Sequence, residues 1–192
     1  MNPSDGLTLC IDGATSYLAL ALVRRAEALG STSEDVGRAH SAVMIASLGA
    51  LLERAGIEAS DVARLVVGIG PGSYTGVRVA VATAKGLARA WGVPLHGASS
   101  LLALAGSQVA PGEDALAVAD ARRGNVYAQH VRRLASEPDV LRYEEVEGPR
   151  KLRRDSLATE FPGLRLVEGA QPDAAALAWA ARVDQAAEPY YL

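Results

Sequence analysis

The sequence predicts an α/β chain of two lobes, each laid out as β-β-β-α-β-α, with the second lobe the smaller. Three observations predict it. Apolar runs at residues 7–12 and 17–23 flank the tight turn Gly13-Ala14-Thr15-Ser16, the mark of a hairpin. The figure recurs at 116–120 and 125–133 around Ala121-Arg122-Arg123-Gly124, and in each copy an aspartate, Asp12 or Asp120, ends the first apolar run. The third observation is the loop Gly70-Pro71-Gly72-Ser73-Tyr74-Thr75-Gly76, which joins a short apolar run to a long helical pattern.

The remaining elements follow in order. A weak third strand and a loop fill 26–38. His40 opens a helix over 40–55 that Gly56 closes. Residues 64–69 form a short buried strand, and a helix over 76–91 is stopped by Gly92 and Pro94. Residues 1–98 make the first lobe and 99–192 the second. The second opens with a linking helix over 99–109, broken at Pro111-Gly112. After its hairpin come a strand at 140–146, a helix over 149–160 with Pro149 at its start, a strand at 164–168 and an Ala-rich helix over 172–183. A duplicated unit of this order is the plan of actin-like, Hsp70-like and sugar-kinase folds, of the ribonuclease H-like class. In those folds the two hairpin turns face each other across a cleft and hold nucleotide phosphates.

Composition narrows the function classes. About half of the 192 residues are apolar, with few aromatics, so Ala, Val and Leu carry the burial. No apolar run approaches the ~20 residues of a membrane span, and Met1-Asn2-Pro3-Ser4-Asp5-Gly6 has no basic signal-type lead. A cytoplasmic location is the expectation. Cys10 is the single cysteine, which rules out an internal disulfide, and it sits in an apolar run as an inert thiol. A net charge of −3 argues against this chain alone being the main grip on a nucleic acid. Local basic runs do exist: Arg122-Arg123, Arg132-Arg133 and Arg150-Lys151-Leu152-Arg153-Arg154.

Local motifs for chemistry are incomplete. Gly70 and Gly72 are followed by Thr75 where a dinucleotide fingerprint needs a third glycine. The nearest phosphate-loop spacing, Gly92 to Gly97, has Ala98 in place of the lysine. The glycine-rich loop therefore reads first as a tight strand-to-helix turn and second as an anion cradle. His40 has Met44, not a second histidine, one turn on, so no metal pair is formed, and His96 and His130 lie in separate strands. A capping or interface role suits His40. Ser73 stands between Gly72 and Tyr74, which is not a nucleophile elbow.

The two long helices carry more information. On the 76–91 helix, Arg78, Lys85 and Arg89 make a narrow polar stripe, and Gly76, Ala80, Ala84 and Ala88 make a ridge of small residues. On the 40–55 helix, His40, Ser47 and Arg54 form the polar stripe, while 42–46 is uninterrupted apolar. Helices of this kind are built to be covered on more than one side. The cover is either the sheet and the sister helix, or a partner chain.

The stretch from Gly70 to Arg78, continuing through Ala82-Thr83-Ala84-Lys85-Gly86-Leu87-Ala88, resembles the signature of the bacterial TsaB (YeaZ) family. Other pieces agree in order: Ile11-Asp12 with Thr15-Ser16, His40-Ser41, Asp120-Ala121-Arg122-Arg123-Gly124 with Val126-Tyr127, and Pro189-Tyr190-Tyr191-Leu192. The resemblance implies an actin-like fold shared with TsaD, the subunit that transfers a threonylcarbamoyl group onto the adenosine beside the tRNA anticodon. It implies a subunit without catalytic apparatus or cofactor, with no metal site. Such a subunit pairs with a TsaD-type transferase, works with a TsaE-type ATPase, and forms a homodimer when alone. Any tRNA contact would be indirect or weak. The implied partner face comprises His40, Val43, Met44, Ser47 and Leu51 on the first helix, with Tyr74, Val77, Ala80, Val81, Ala84 and Ala88 on or beside the second. Asp12, Thr15 and Ser16 are weak candidates for nucleotide contact. The alternative is a phosphotransferase or glycoprotease-like peptidase acting alone, and it predicts turnover sensitive to Asp12.

Overall fold

Strand β1 (Leu7–Asp12) is mostly apolar, with Thr8 and Asp12 the exceptions, and is buried on both faces, as a central strand must be. It pairs antiparallel with β2 (Tyr17–Arg24), with Cys10 opposite Ala21, and parallel with β4 (Val62–Gly68). The computed structural model describes residues 6–134, 143–179 and 186–190. Its first sheet runs β3-β2-β1-β4-β5, where β3 is Glu27–Asp35 and β5 is Leu95–Ala98. Its second sheet runs β10-β6-β7-β8, from β6 (Asp114–Asp120), β7 (Asn125–Arg133), β8 (Tyr143–Glu145) and β10 (Arg165–Glu168). A further strand, β9 (Arg150–Arg153), pairs with the start of β7.

Alternation along β1 sends Leu7, Leu9 and Ile11 to one face and Cys10 to the other. The first face is covered by helices α1 (His40–Ala55) and α2 (Tyr74–Trp91). The second face shares a core with the inner face of the other sheet. Between them lie α3 (Ser100–Ala105), buried at all six positions, and α5 (Ala175–Ala178). Each fully buried leucine of α3, Leu101 and Leu102, contributes roughly 2 kcal/mol of hydrophobic stabilisation. The outer face of the second sheet carries Leu116, Val118, Val126 and Ala128 under Leu157 of α4 (Leu157–Glu160) and Phe161.

The third strand expected within 26–38 is present as β3, nine residues long and paired along the whole of β2 from Tyr17↔Asp35 to Arg24↔Glu27, with a turn after it. Two expectations need correction. The helix expected over 149–160 is a strand followed by short helical turns. As a strand, β9 sends Leu152 into the outer core. The second is α1, whose buried side is His40, Met44, Leu48 and Leu51. His40 is therefore not part of a solvent stripe. The exposed side holds Ser41, Ala42, Ile45, Ala46 and Gly49.

Other elements fall where the pattern placed them, with ends shifted by a few residues: α2 and β6 begin two residues earlier than expected, and α3 is shorter than the expected 99–109. Helix α1 ends at Gly56 in the left-handed region, its N–H bonded to the carbonyls of Glu53 and Leu52. The strand expected at 140–146 is described only from Tyr143, and the helix expected over 172–183 is described as α5, with 180–185 outside the described residues. No helix among the described residues is long and apolar enough to cross a membrane. The stretch 186–190 returns to the first sheet. There the Tyr190 N–H donates to the Ile69 carbonyl at 2.7 Å, and Glu188 pairs with Lys85 at 2.5 Å.

Candidate functional site

Both hairpin turns, the glycine-rich loop and the approach to α1 converge on an open cleft of about 690 Å³. One wall is Ala14, Thr15 and Ser16 of the first turn. The opposite wall is Asp120, Ala121 and Arg122 of the second, with Tyr127 behind them. Gly72 to Gly76, the pair Gly37-Arg38 and His40 complete the lining.

The duplication is visible at atomic level. The Ala14 N–H donates to Asp12 Oδ1 at 3.0 Å, and the Arg122 N–H donates to Asp120 Oδ1 at 3.0 Å. Each aspartate thus closes a turn onto the residue two positions on. The environments differ. Asp120 stands at the surface, whereas Asp12 is 1% exposed, and burial pushes its carboxyl up to about 6. The neighbouring Ser100 hydroxyl, the Ala14 N–H and His40 act in the other direction. Among the proposed nucleotide contacts, Thr15 and Ser16 line the cleft, but Asp12 lies behind it. Thr15 Oγ1 is engaged by the Tyr17 N–H at 3.1 Å.

The glycine-rich loop is packed on the first turn. The Ser73 N–H donates to the Ala14 carbonyl at 2.7 Å, and Ser73 Oγ caps α2 by accepting from the Gly76 N–H at 3.3 Å. A Cβ on Gly76 would stand 2.0 Å from the Gly13 carbonyl oxygen, so glycine is required for this approach. The amides of Ser73 and Gly76 are spent inside the chain, as the strand-to-helix turn reading expects.

His40 Nε2 donates to the Tyr17 carbonyl at 3.1 Å, tying α1 to β2. His130 Nε2 meets Asp114 Oδ2 at 3.0 Å, and Arg132 Nε meets Asp114 Oδ1 at 2.6 Å. Among the described residues no three of His, Cys, Asp and Glu converge into a metal-sized group.

The expected partner-face residues divide sharply. His40, Met44, Leu51, Val77, Ala80, Val81, Ala84 and Ala88 are buried in the chain's own core. The ridge of small residues admits the first sheet and the Gly13 turn. Val43 and Ser47 are half-buried, and Tyr74 is 57% exposed beneath Arg78, whose guanidinium lies 4.0 Å from the ring centre. The residues that sequence reasoning passed over are Ile45, 61% exposed, with Ala42, Ala46 and Gly49 beside it. They are signalled by the same apolar run, once its solvent side is known. Arg38 and Tyr127 in the cleft were also missed, and only the tertiary fold brings them there.

The model of one protein family, TsaD: tRNA N6-adenosine threonylcarbamoyltransferase, matches residues 7–165. An uncharacterized protein of Mycobacterium tuberculosis is 37% identical over 121 residues, 62% of this chain and 56% of that protein. The tRNA threonylcarbamoyladenosine biosynthesis protein TsaB of Bacillus subtilis is 34% identical over 125 residues, 62% of this chain and 52% of that protein. The chain spans about half the length of the curated relatives it matches. Among solved structures, YeaZ from Pseudomonas aeruginosa superposes with a TM-score of 0.76 at 26% identity, covering 97% of this chain and 100% of that one.

Proposed function

The chain belongs to the tRNA N6-adenosine threonylcarbamoyltransferase (TsaD) family, as a member of its TsaB (YeaZ) branch, and from that premise we propose that it serves threonylcarbamoyladenosine formation on tRNA as a non-catalytic subunit. Its partner is a TsaD-type transferase, assisted by a TsaE-type ATPase, and in the partner's absence the same face pairs two copies of this chain.

The observation that carries the reading is the outer face of α1. Ala42, Ile45, Ala46 and Gly49 present small and apolar groups to solvent on one side of a helix whose other side is already buried. Ile45 is the most exposed large apolar side chain among the described residues. Small residues beside a projecting isoleucine let a second helix approach closely. Support for a non-catalytic role comes from the committed state of the titratable groups. His40 is bonded to a carbonyl, Asp12 is enclosed, and among the described residues no lysine lines the cleft interior.

The test is size-exclusion chromatography with light scattering on the chain mixed with a TsaD-type protein. A complex is expected for the native chain and not for Ile45→Glu. Failure of the native chain to associate would overturn the reading. ATP or peptide turnover by the purified chain, abolished by Asp12→Asn, would favour the stand-alone enzyme instead.

A further inference from the structure

We propose that the rim of the cleft on the second lobe, formed by Arg122, Arg123, Lys151 and Arg153 with Arg38 opposite, holds the phosphate backbone of RNA. The inference rests on the tRNA-linked reading for the identity of the RNA, but its surface is separate from the α1 face.

The fold gathers cations that the sequence scatters. Strand β9 pairs with β7 so that Lys151 stands opposite Tyr127 and Arg153 opposite Asn125. Residues directly opposite on paired strands share a face. Lys151 and Arg153 therefore lie on the face that carries Tyr127, which lines the cleft. The hairpin turn that begins β7 adds Arg122 and Arg123, both exposed, and Gly124 of that turn lies within 4.0 Å of the Arg153 guanidinium when a Cβ is built on it. Arg122 and Arg38 line the cleft from the two lobes.

The neighbouring acids do not neutralise this set. Arg150 is paired with Glu160, and Arg154 with Glu168, so those two cations are already satisfied. Among the described residues Arg153 pairs only with Asp155, at 3.3 Å and 72% exposed, a solvated pair of little strength. Asp120 accepts from the Arg122 backbone, which leaves the guanidinium outside that bond. Among the described residues Arg38, Arg122, Arg123 and Lys151 have no carboxylate within ion-pair distance. An overall charge of −3 thus conceals a local positive edge. Backbone phosphates suit it, since such contacts need clustered, solvent-facing cations and no base-specific pocket. Tyr127 beside the cations offers a stacking face for an unpaired base.

The experiment measures binding of an unmodified tRNA transcript to the full chain by fluorescence anisotropy across a salt series. The paired variants Arg122→Glu with Arg123→Glu, and Lys151→Glu with Arg153→Glu, are each expected to weaken binding by about ten-fold or more. Each is also expected to flatten the log–log salt dependence by about two. The neutralising pair Lys151→Gln with Arg153→Gln gives the same direction with a smaller loss, should charge reversal disturb β9. Arg24→Glu, at the end of β2 remote from the cleft, is the charge-matched control and should bind as the native chain does. No tRNA binding by the native chain at low salt, or equal binding by native chain and variants, overturns the proposal. Binding of a polyglutamate peptide without binding of tRNA also overturns it, in favour of an acidic protein partner. Ile45→Glu should leave tRNA binding intact, so loss of the α1 association and loss of RNA binding read out separately.

Discussion

The carboxylate of Asp12 fills the space that Gly68 leaves open: a Cβ built on Gly68 would stand 1.8 Å from Asp12 Oδ2 and 2.6 Å from Ser100 Oγ. All three residues are buried where β1, β4 and α3 meet. Gly68→Ala must push polar groups apart inside a packed core, at a cost of about 1–3 kcal/mol. For a chain of this size that lowers the melting midpoint by roughly 3–10 °C. Combined with Asp12→Ala, the loss should be smaller than the sum of the two single losses. Strict additivity in thermal melts would show that the two residues do not compete for the same space.

The buried carboxyl also makes stability depend on pH. Burial raises Asp12 from an ordinary 3.8 to about 6, so between those values the native state keeps a proton that the unfolded chain has released. The stability held by the neutral form is complete below about pH 4 and is lost as pH rises through about 6. The loss is on the order of 2–3 kcal/mol. Asp12→Asn keeps an acceptor for the Ala14 N–H and removes the titration. Its urea midpoint should stay flat from pH 4 to 7 while that of the native chain falls. Matching slopes would refute the role given to Asp12. Asp114, held at about 2 by Arg132 and His130 against its partial burial, acts at lower pH and with the opposite sign. Its contribution is present above the ordinary carboxylate value and disappears as pH falls toward 2.

Local signals made much of the architecture legible, and the failures share one cause. The hairpin turns, the span of α1 and the stop at Gly92 follow from apolar period, capping glycines and turn residues, all of which act within a few positions. Strand β9 depends on pairing with β7, and its own basic residues do not announce it. The polar stripe assigned to α1 failed for a similar reason. His40 reads as a capping or interface residue on a polar stripe until Tyr17 supplies a carbonyl 23 positions away that draws it into the core. The turns of the cleft were legible because the aspartates repeat, but Arg38 and Tyr127 reach it only through the fold.

The distinction between the inner and outer sides of the helices is open to a paired test. Ala84 is fully buried and Ile45 is 61% exposed, although both belong to apolar stretches of the two helices. Ala84→Glu buries an unpaired charge and should unfold the chain or cost at least about 3 kcal/mol. Ile45→Glu should change stability by no more than about 0.5 kcal/mol while abolishing association with the TsaD-type partner. Circular dichroism melts run beside the chromatography separate the two effects. A destabilised Ile45→Glu, or an Ala84→Glu that melts like the native chain, would mean that the sides have been exchanged.

The last relationship sets stability against binding at a single residue. The Asn125 N–H donates to the Arg122 carbonyl at 3.0 Å and closes a turn whose central residues, Arg123 and Gly124, have φ of 54° and 76°. A turn with two positive φ values favours Asn or Gly at its first central position, and a long side chain there is strained. Arg123→Asn should therefore raise stability by roughly 0.5–1 kcal/mol, read as a higher urea midpoint. The same change removes a cation from the rim and should weaken tRNA binding. If Arg123 serves only the turn, the substitution would stabilise the chain and leave RNA affinity untouched. Movement of the two quantities in opposite directions is what a residue kept for its charge, against the preference of its backbone, must produce.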